Sequence, residues 1–183
     1  MHQVLLTNSG CSTSRSHATD TRTTDYVAVP EEAAPLERLR SVTKEQATIL
    51  DSQSKIANWL YNKLLERAND LRKQYRESQD KEVGMTLYSE RGLRNLVPAL
   101  KEQHPFLKAV YSSVLKNAAL RLSKAIRDYQ DGKHGRRANT VRWPKFRAWK
   151  RHWFSLQYDE PHKGYTLQGR LLILTLGKGA AGK

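Results

Sequence analysis

Apolar residues recur at steps of three and four from position 43 onward, and this period limits the ordered core to packed helices. The first run begins at Thr43, which stands three residues before Gln46 in the arrangement of a capping box, and it extends to about Ser78. The pattern predicts one long amphipathic helix. Its apolar face consists of Ile49, Leu50, Ile56, Ala57, Leu60, Leu64, Ala68, Leu71 and Tyr75.

Two further helices are predicted after a break that contains Gly84. A short one starts from a Ser89 cap and is weakened by Gly92 and Pro98; it carries Leu93, Leu96 and Val97. The other begins near Pro105, which suits a first helical turn. Its apolar face is Leu107, Val110, Tyr111, Val114, Ala118, Leu122, Ala125 and Tyr129, and it is expected to stop at Asp131-Gly132. We expect the two long helices to pack as a hairpin.

The period changes after Gly135 to the alternation typical of strands. One strand is predicted over Phe154, Leu156 and Tyr158, and a β-hairpin joins Tyr165–Leu167 to Arg170–Leu176 through Gln168-Gly169. The expected fold is therefore mainly α, helix-turn-helix-like, with a small C-terminal β-element. Three regions follow: a Ser- and Thr-rich leader over residues 1–35 that is expected to be disordered, a helical domain over 36–135, and a basic linker with the β-hairpin over 136–183.

Composition restricts the class of partner. The chain has 32 Lys and Arg against 18 Asp and Glu, a formal charge of +14, which favours a nucleic acid or an acidic surface over a small neutral substrate. It has no apolar run of about 18 residues that would span a bilayer. Cys11 is the only cysteine, so an intramolecular disulfide is excluded. We expect a cytoplasmic protein without a membrane partner or a small-molecule substrate.

Most of the positive charge lies between Arg121 and Trp153. Eleven basic and two acidic residues give this segment a charge of +9, and Trp143, Phe146, Trp149 and Trp153 lie among them. Cations that pair with phosphates beside planar rings that stack on bases are typical of nucleic-acid-binding surfaces. The alternative, a solvated charged face, usually mixes the two signs.

Candidate binding residues follow from this segment. Arg121, Lys124 and Arg127 recur every three residues and are expected to form a winding stripe that could track a phosphate backbone. Trp143 and Trp149 are favoured for base stacking over Phe146 and Trp153, which could equally be core contacts. The full set is Arg121, Lys124, Arg127, Arg136, Arg137, Arg142, Trp143, Lys145, Arg147, Trp149, Lys150 and Arg151.

Catalytic chemistry is not indicated. Asp159 and Glu160 adjoin the predicted strand, but neighbours on an extended chain point to opposite faces and do not readily share a metal ion. The six histidines form no i, i+4 pair, so a zinc site is not expected either. We predict no catalytic residue, no metal site and no cofactor.

Six short motifs occur in an order that resembles a known family. They are Thr43-Lys44-Glu45-Gln46, Trp59-Leu60-Tyr61-Asn62, His104-Pro105-Phe106-Leu107-Lys108 with Ala125-Ile126-Arg127-Asp128-Tyr129 closing its helix, Trp143-Pro144-Lys145-Phe146-Arg147, Phe154-Ser155-Leu156 and Leu174-Thr175-Leu176-Gly177-Lys178. Over residues 38–178 the chain resembles the N-terminal half of TnpB, the OrfB-type protein of bacterial insertion sequences, a probable transposase with a helix-turn-helix.

The resemblance implies a function. TnpB-like proteins are RNA-guided DNA endonucleases, in which a wedge barrel and a helical recognition lobe hold guide RNA and DNA, and a RuvC-like domain with a zinc ribbon cuts. The chain ends where that domain would begin, so the magnesium and zinc sites of the family fall in the part it lacks. We therefore expect a non-catalytic fragment, cytoplasmic and nucleoid-associated, that binds DNA, RNA or both.

Two alternatives remain open. The chain could be one half of a split or frameshifted RNA-guided endonuclease, or its helices could form a protein-interaction module with no nucleic-acid role. The family opens with a basic strand, whereas Leu36 to Val42 makes a poor one here. Leu171–Leu176 is consequently expected to lack a partner and to present an exposed, aggregation-prone edge.

Overall fold

A 35-residue helix, α1 (Lys44–Ser78), is the longest element among the described residues. The computed structural model describes residues 3–7, 42–151, 153–168 and 171–178. The predicted capping box is present, since the Gln46 backbone N–H donates to Thr43 Oγ1 (3.2 Å) and the Thr43 N–H donates to Gln46 Oε1 (3.0 Å). The predicted start and end of this helix are confirmed.

The second long helix, α5 (Ser112–Lys133), starts later than predicted. Pro105 opens a separate 3₁₀ helix, Pro105–Ala109, and Val110 then takes an extended conformation that interrupts the helical path. At its other end α5 continues to Lys133, past the predicted stop at Asp131-Gly132.

The two long helices run in the same direction and do not form the predicted hairpin. Near the start of α1, Gln53 Nε2 donates to the carbonyl of Ala109, 56 residues later. Near its end, Arg72 Nη2 donates to the hydroxyl of Tyr129, 57 residues later. In a hairpin, the sequence separation between contacting residues would decrease from the start of α1 to its end. Here the separation stays at 56 and 57 residues, which requires parallel helices.

Three short helices carry the chain from the end of α1 to the 3₁₀ helix: α2 (Lys81–Tyr88), α3 (Gly92–Asn95) and α4 (Val97–Gln103). The first packs against α1, and the other two pack against α5. The single helix predicted from a Ser89 cap is therefore wrong. Ser89 follows α2, and its Oγ accepts from the N–H of Gly92 (2.9 Å). A Cβ on Gly92 would lie 2.0 Å from the Thr86 carbonyl oxygen, so this turn requires glycine. Gly84, expected in a break, is inside α2.

The core lies between α1, α5 and the three short helices. Leu60, Leu64 and Leu65 of α1 are fully buried, as are Leu115 and Leu122 of α5. The short helices and the 3₁₀ helix contribute further buried leucines, Leu87, Leu93 and Leu107.

Three antiparallel strands, β1 (Gln3–Thr7), β2 (Tyr165–Gln168) and β3 (Leu171–Thr175), form a sheet in the order β1-β3-β2. The predicted antiparallel pairing of β2 with β3 is confirmed, whereas Gly169 of the predicted turn and Arg170 lie outside the described residues. β3 is the central strand, and Ile173 pairs with Leu5 on one side and with Thr166 on the other. The exposed edge expected at Leu171–Leu176 is therefore covered.

The N-terminal strand is the main difference from the predicted disordered leader. Val4, Leu5 and Leu6 form an apolar run in that region, and such a run favours a strand when an edge is available. The prediction for the rest of residues 1–35 lies outside the described residues.

The described residues between α5 and β2 form no helix or strand, and we call residues 141–151 and 153–160 the return segment. The strand predicted over Phe154–Tyr158 is not formed. The alternation is nevertheless real, because Phe154 is buried while Ser155 and Gln157 are exposed. No helix among the described residues has both the length and the apolar character needed to cross a membrane.

Overall the fold class is confirmed: mainly helical, with a small antiparallel sheet that includes the C-terminal strands β2 and β3.

Candidate nucleic-acid interface

A polar row on α1 holds the return segment in place. Ser54, fully buried, accepts a hydrogen bond from the Phe154 N–H (2.9 Å) and donates one to the Phe154 carbonyl (2.9 Å). The indole N–H of Trp149 donates to the same hydroxyl oxygen (3.1 Å). One serine thus fixes two points of a segment, 95 and 100 residues away in sequence.

The next two members of this row are asparagines. Asn62 binds Arg147 in both directions, since its Nδ2 donates to the Arg147 carbonyl (3.0 Å) and its Oδ1 accepts from the Arg147 N–H (2.9 Å). Asn58 Nδ2 donates to the same carbonyl (3.1 Å). Ser54, Asn58 and Asn62 are four residues apart and so share a helix face; we call them the α1 ladder.

An equivalent row on α5 holds the second half of the return segment. Arg121 Nη1 donates to the carbonyl and the hydroxyl of Ser155 (3.3 and 3.1 Å), and Asn117 Nδ2 donates to the carbonyl of Gln157 (3.1 Å). Ser113 donates to the carboxylate of Asp159. Ser113, Asn117 and Arg121 also recur every four residues, and we call them the α5 ladder.

The two ladders take the place of the neighbouring strands that would otherwise form hydrogen bonds with the backbone of the return segment. Backbone groups removed from water need hydrogen-bond partners, and here side chains from two helices supply them. The sequence reasoning missed both ladders. The signal was available, because polar residues at positions 54, 58 and 62 interrupt an apolar run at helical spacing.

The tryptophans favoured for stacking are instead engaged with the helices. Trp143 donates its indole N–H to Asn69 Oδ1 (2.8 Å) and packs edge-on against Tyr129, with the Arg72 guanidinium 4.1 Å from its ring centroid. Trp149 is bound to Ser54, and the Lys55 ammonium lies 4.4 Å from its ring centroid. Both rings stabilise the position of the segment.

Phe146 and Trp153, which the sequence favours less for base stacking, are more exposed than Trp143 and Trp149. Phe146 is 62% exposed and Trp153 is 46% exposed. Trp153 is anchored by a hydrogen bond from its indole N–H to Asp51 Oδ1 (2.8 Å). The side chain of Phe146 has no polar group that could form a hydrogen bond. The α1 ladder fixes the backbone of the adjacent Arg147, so the position of the Phe146 ring is also restricted.

Two of the predicted cations lie against the core. The guanidinium of Arg121 is 4.8 Å from the ring centroid of Phe154, and that of Arg147 is 5.2 Å from the same ring. Burial, reinforced by the charge of Arg147, lowers the pKa of Arg121 from its ordinary value. Arg121 thereby connects α5 to the return segment, and the Arg147 guanidinium also lies 5.8 Å from the ring centroid of Tyr61 on α1.

Four more predicted cations are paired with carboxylates. Lys124 and Arg137 both contact Asp128 (3.5 and 2.6 Å). The other two pairs are Arg127 with Glu90 (3.2 Å) and Arg136 with Asp131 (3.6 Å).

The stripe predicted on α5 does not form a single surface. Residues six apart on a helix are separated by about 120° around the axis. Arg121 accordingly faces Ser155 in the return segment, whereas Arg127 faces Glu90 beyond α2.

The remaining four predicted cations are exposed and have no ion pair within the described part of the chain: Arg142, Lys145, Lys150 and Arg151. We call these four residues the free basic strip. They flank Phe146 on the part of the return segment that the α1 ladder holds.

The carboxylates at the end of the segment have structural partners. Asp159 accepts from Ser113 and contacts Lys116 Nζ (3.3 Å), and the hydrogen bond from Ser113 lowers the pKa of Asp159. Glu160 accepts from the hydroxyl of Tyr111, which raises the pKa of Tyr111 to about 12. Within the described residues no three His, Cys, Asp or Glu side chains are grouped as metal ligands would be.

Comparison of the chain with protein-family models, with curated proteins and with solved structures finds no significant match. The resemblance to TnpB-like proteins therefore remains a prediction from the motifs.

Proposed function

We propose that the chain binds single-stranded nucleic acid, RNA or DNA, along the return segment and has no catalytic activity of its own. The observation that carries the proposal is the free basic strip, four exposed cations without carboxylate partners among the described residues, around the exposed ring of Phe146. Phosphates would pair with the cations, and an unpaired base would stack on the ring.

The rigid support of the strip favours this function over a solvated charged face. A flexible basic tail must lose conformational entropy when it binds, whereas Arg147 is already fixed by three hydrogen bonds from the α1 ladder. Because less conformational entropy is lost on binding, the same contacts give a higher affinity.

The motif resemblance supports the same class of partner. A TnpB-like origin implies contact with guide RNA and DNA, and we propose that the chain is the nucleic-acid-binding fragment of such a transposon-encoded protein. The absence of catalysis in the proposal rests on Asp159 and Glu160, whose carboxylates already pair with Lys116 and accept hydrogen bonds from Ser113 and Tyr111.

Two variants with the same change in charge test the proposal. The first replaces the free basic strip, Arg142→Gln, Lys145→Gln, Lys150→Gln and Arg151→Gln. The matched control replaces the four ion-paired cations, Lys124→Gln, Arg127→Gln, Arg136→Gln and Arg137→Gln. Fluorescence anisotropy with a labelled single-stranded oligonucleotide gives the dissociation constant of each.

The strip variant should lose most of the affinity, whereas the control should retain it within a few-fold, because its cations are already neutralised locally. Equal losses in the two variants would mean that only the net charge matters. Such a result would overturn the assignment of the return segment as the interface.

A further inference from the structure

A cavity of about 540 Å³ opens on another part of the molecule, where the 3₁₀ helix, the start of α5 and the end of β3 meet. Cavities that bind small organic ligands have volumes of about 300 to 1,000 Å³. Its walls combine apolar and basic groups. The apolar part includes Val110, Leu176 and the ring of Tyr111, and the basic part is formed by Lys101, Lys108 and Lys178.

The three lysines that line this cavity have no ion pair in the described part of the chain. Lys101 Nζ donates to Ser112 Oγ (2.8 Å), which holds its ammonium at the cavity wall with a neutral partner only. Burial lowers the pKa of Lys101, which indicates that its charge is partly desolvated without a compensating anion.

The wall that carries Lys108 and Lys178 is closely packed. The Gly177 N–H donates to the carbonyl of Ala109 (3.1 Å), and a Cβ on Gly177 would lie 2.1 Å from the Lys108 carbonyl oxygen. Tyr111 is fixed as well, because its ring stacks on Tyr158 at a centroid distance of 6.0 Å. The cavity is therefore formed before any ligand arrives.

We propose that this cavity binds a phosphate-bearing ligand, with its phosphates between Lys101, Lys108 and Lys178 and its organic part against Val110, Tyr111 and Leu176. Lysine ammoniums suit phosphates, and the apolar wall suits the base or sugar of a nucleotide. The same chemistry could come from a free nucleotide or from the 5′-phosphorylated end of a nucleic-acid strand.

The test uses the full chain, with ADP as one probe and a short oligonucleotide with or without a 5′-phosphate as the other. Isothermal titration compares the wild type with Lys108→Gln/Lys178→Gln. Both of these lysines are exposed, so the change should not affect folding. The control Lys73→Gln/Lys81→Gln removes the same charge from two exposed lysines elsewhere.

We expect the cavity variant to weaken binding by about tenfold or more while the control does not. If the cavity variant loses affinity for ADP, the ligand is a free nucleotide. If it loses affinity only for the 5′-phosphorylated oligonucleotide, the ligand is the end of a nucleic-acid strand. No binding of either probe by the wild type, or equal affinities in both variants, would overturn the proposal. The free-basic-strip variant should still bind ADP, which separates this inference from the proposed function.

Discussion

The role of each aromatic residue in the basic segment depends on what lies next to its ring. Trp143 has a tyrosine, an arginine and an asparagine around it, so its faces and its indole N–H are already used. Phe146, three residues later, is 62% exposed and flanked by cations. Residue type alone favoured the tryptophans, and the packing favours the phenylalanine.

We predict that Phe146→Ala weakens binding to single-stranded nucleic acid by about 5- to 150-fold, because base stacking on an aromatic ring contributes about 1–3 kcal/mol. The free energy of unfolding should change by no more than about 0.5 kcal/mol, since the ring is largely in solvent. Anisotropy titrations with a single strand and with a duplex measure the effect.

Phe146→Tyr is the control for this prediction, because it keeps the stacking surface and should keep the affinity. A loss of equal size on the duplex would show that Phe146 does not stack on an unpaired base.

Among the elements, the two ladders explain how an irregular segment keeps a fixed position. They come from parallel helices, α1 and α5, that face the same segment along its length. Each rung binds main-chain or side-chain groups of the return segment at four-residue steps. The proposed interface is therefore built on helices, although the proposed ligand contacts a loop.

Removal of one rung should destabilise the molecule. Ser54→Ala leaves the Phe154 N–H and the Trp149 indole N–H without their partner, at a cost of about 2–4 kcal/mol. Urea denaturation followed by tryptophan fluorescence measures the change in the free energy of unfolding. Ser52→Ala, at an exposed position of the same helix, is the matched control and should change it by about 0.5 kcal/mol or less. Identical midpoints for the two variants would exclude the ladder as a source of stability.

Periodicity predicted the faces of the elements better than their partners. It located α1 and its cap at Thr43, and it located the alternation from Phe154 to Tyr158. It could not distinguish parallel helices from a hairpin, because the buried face of a helix is the same in both. It also could not show that the alternating residues bond to helix side chains instead of strands, since that depends on contacts about 40 and 100 residues away in sequence.

Local context limited the prediction of the candidate site in a similar way. Eleven cations gave the segment its charge, but Asp128, Asp131 and Glu90 neutralise some of them, and Glu90 is 37 residues from its partner. Only the folded chain separates the cations that pair internally from the free basic strip.

At the scale of the whole molecule, stability should fall in alkaline solution. Burial raises the pKa of Tyr158 to about 12, and the hydrogen bond to Glu160 raises that of Tyr111 to about 12. The folded state thus holds these protons more tightly than the unfolded state does. Their contribution is complete below about pH 10 and is lost as the pH rises towards 12.

Tyr158→Phe tests this dependence because it removes one of the two ionisations. The Tyr158 hydroxyl has no hydrogen-bond partner among the described residues, so the variant should be no less stable than the wild type near neutral pH. Circular dichroism against pH should show it unfolding at a higher alkaline midpoint. Coincident unfolding curves for the variant and the wild type would contradict a role of Tyr158 in alkaline unfolding.

The salt dependence of binding tests the central claim most directly, namely that the free basic strip contacts phosphates. Four phosphate contacts on a single strand predict a slope of log K against log salt of about −3, and the strip variant should lose most of that slope while the paired-cation control keeps it. A slope near zero for the wild type, or one that is unchanged in the strip variant, would contradict the account.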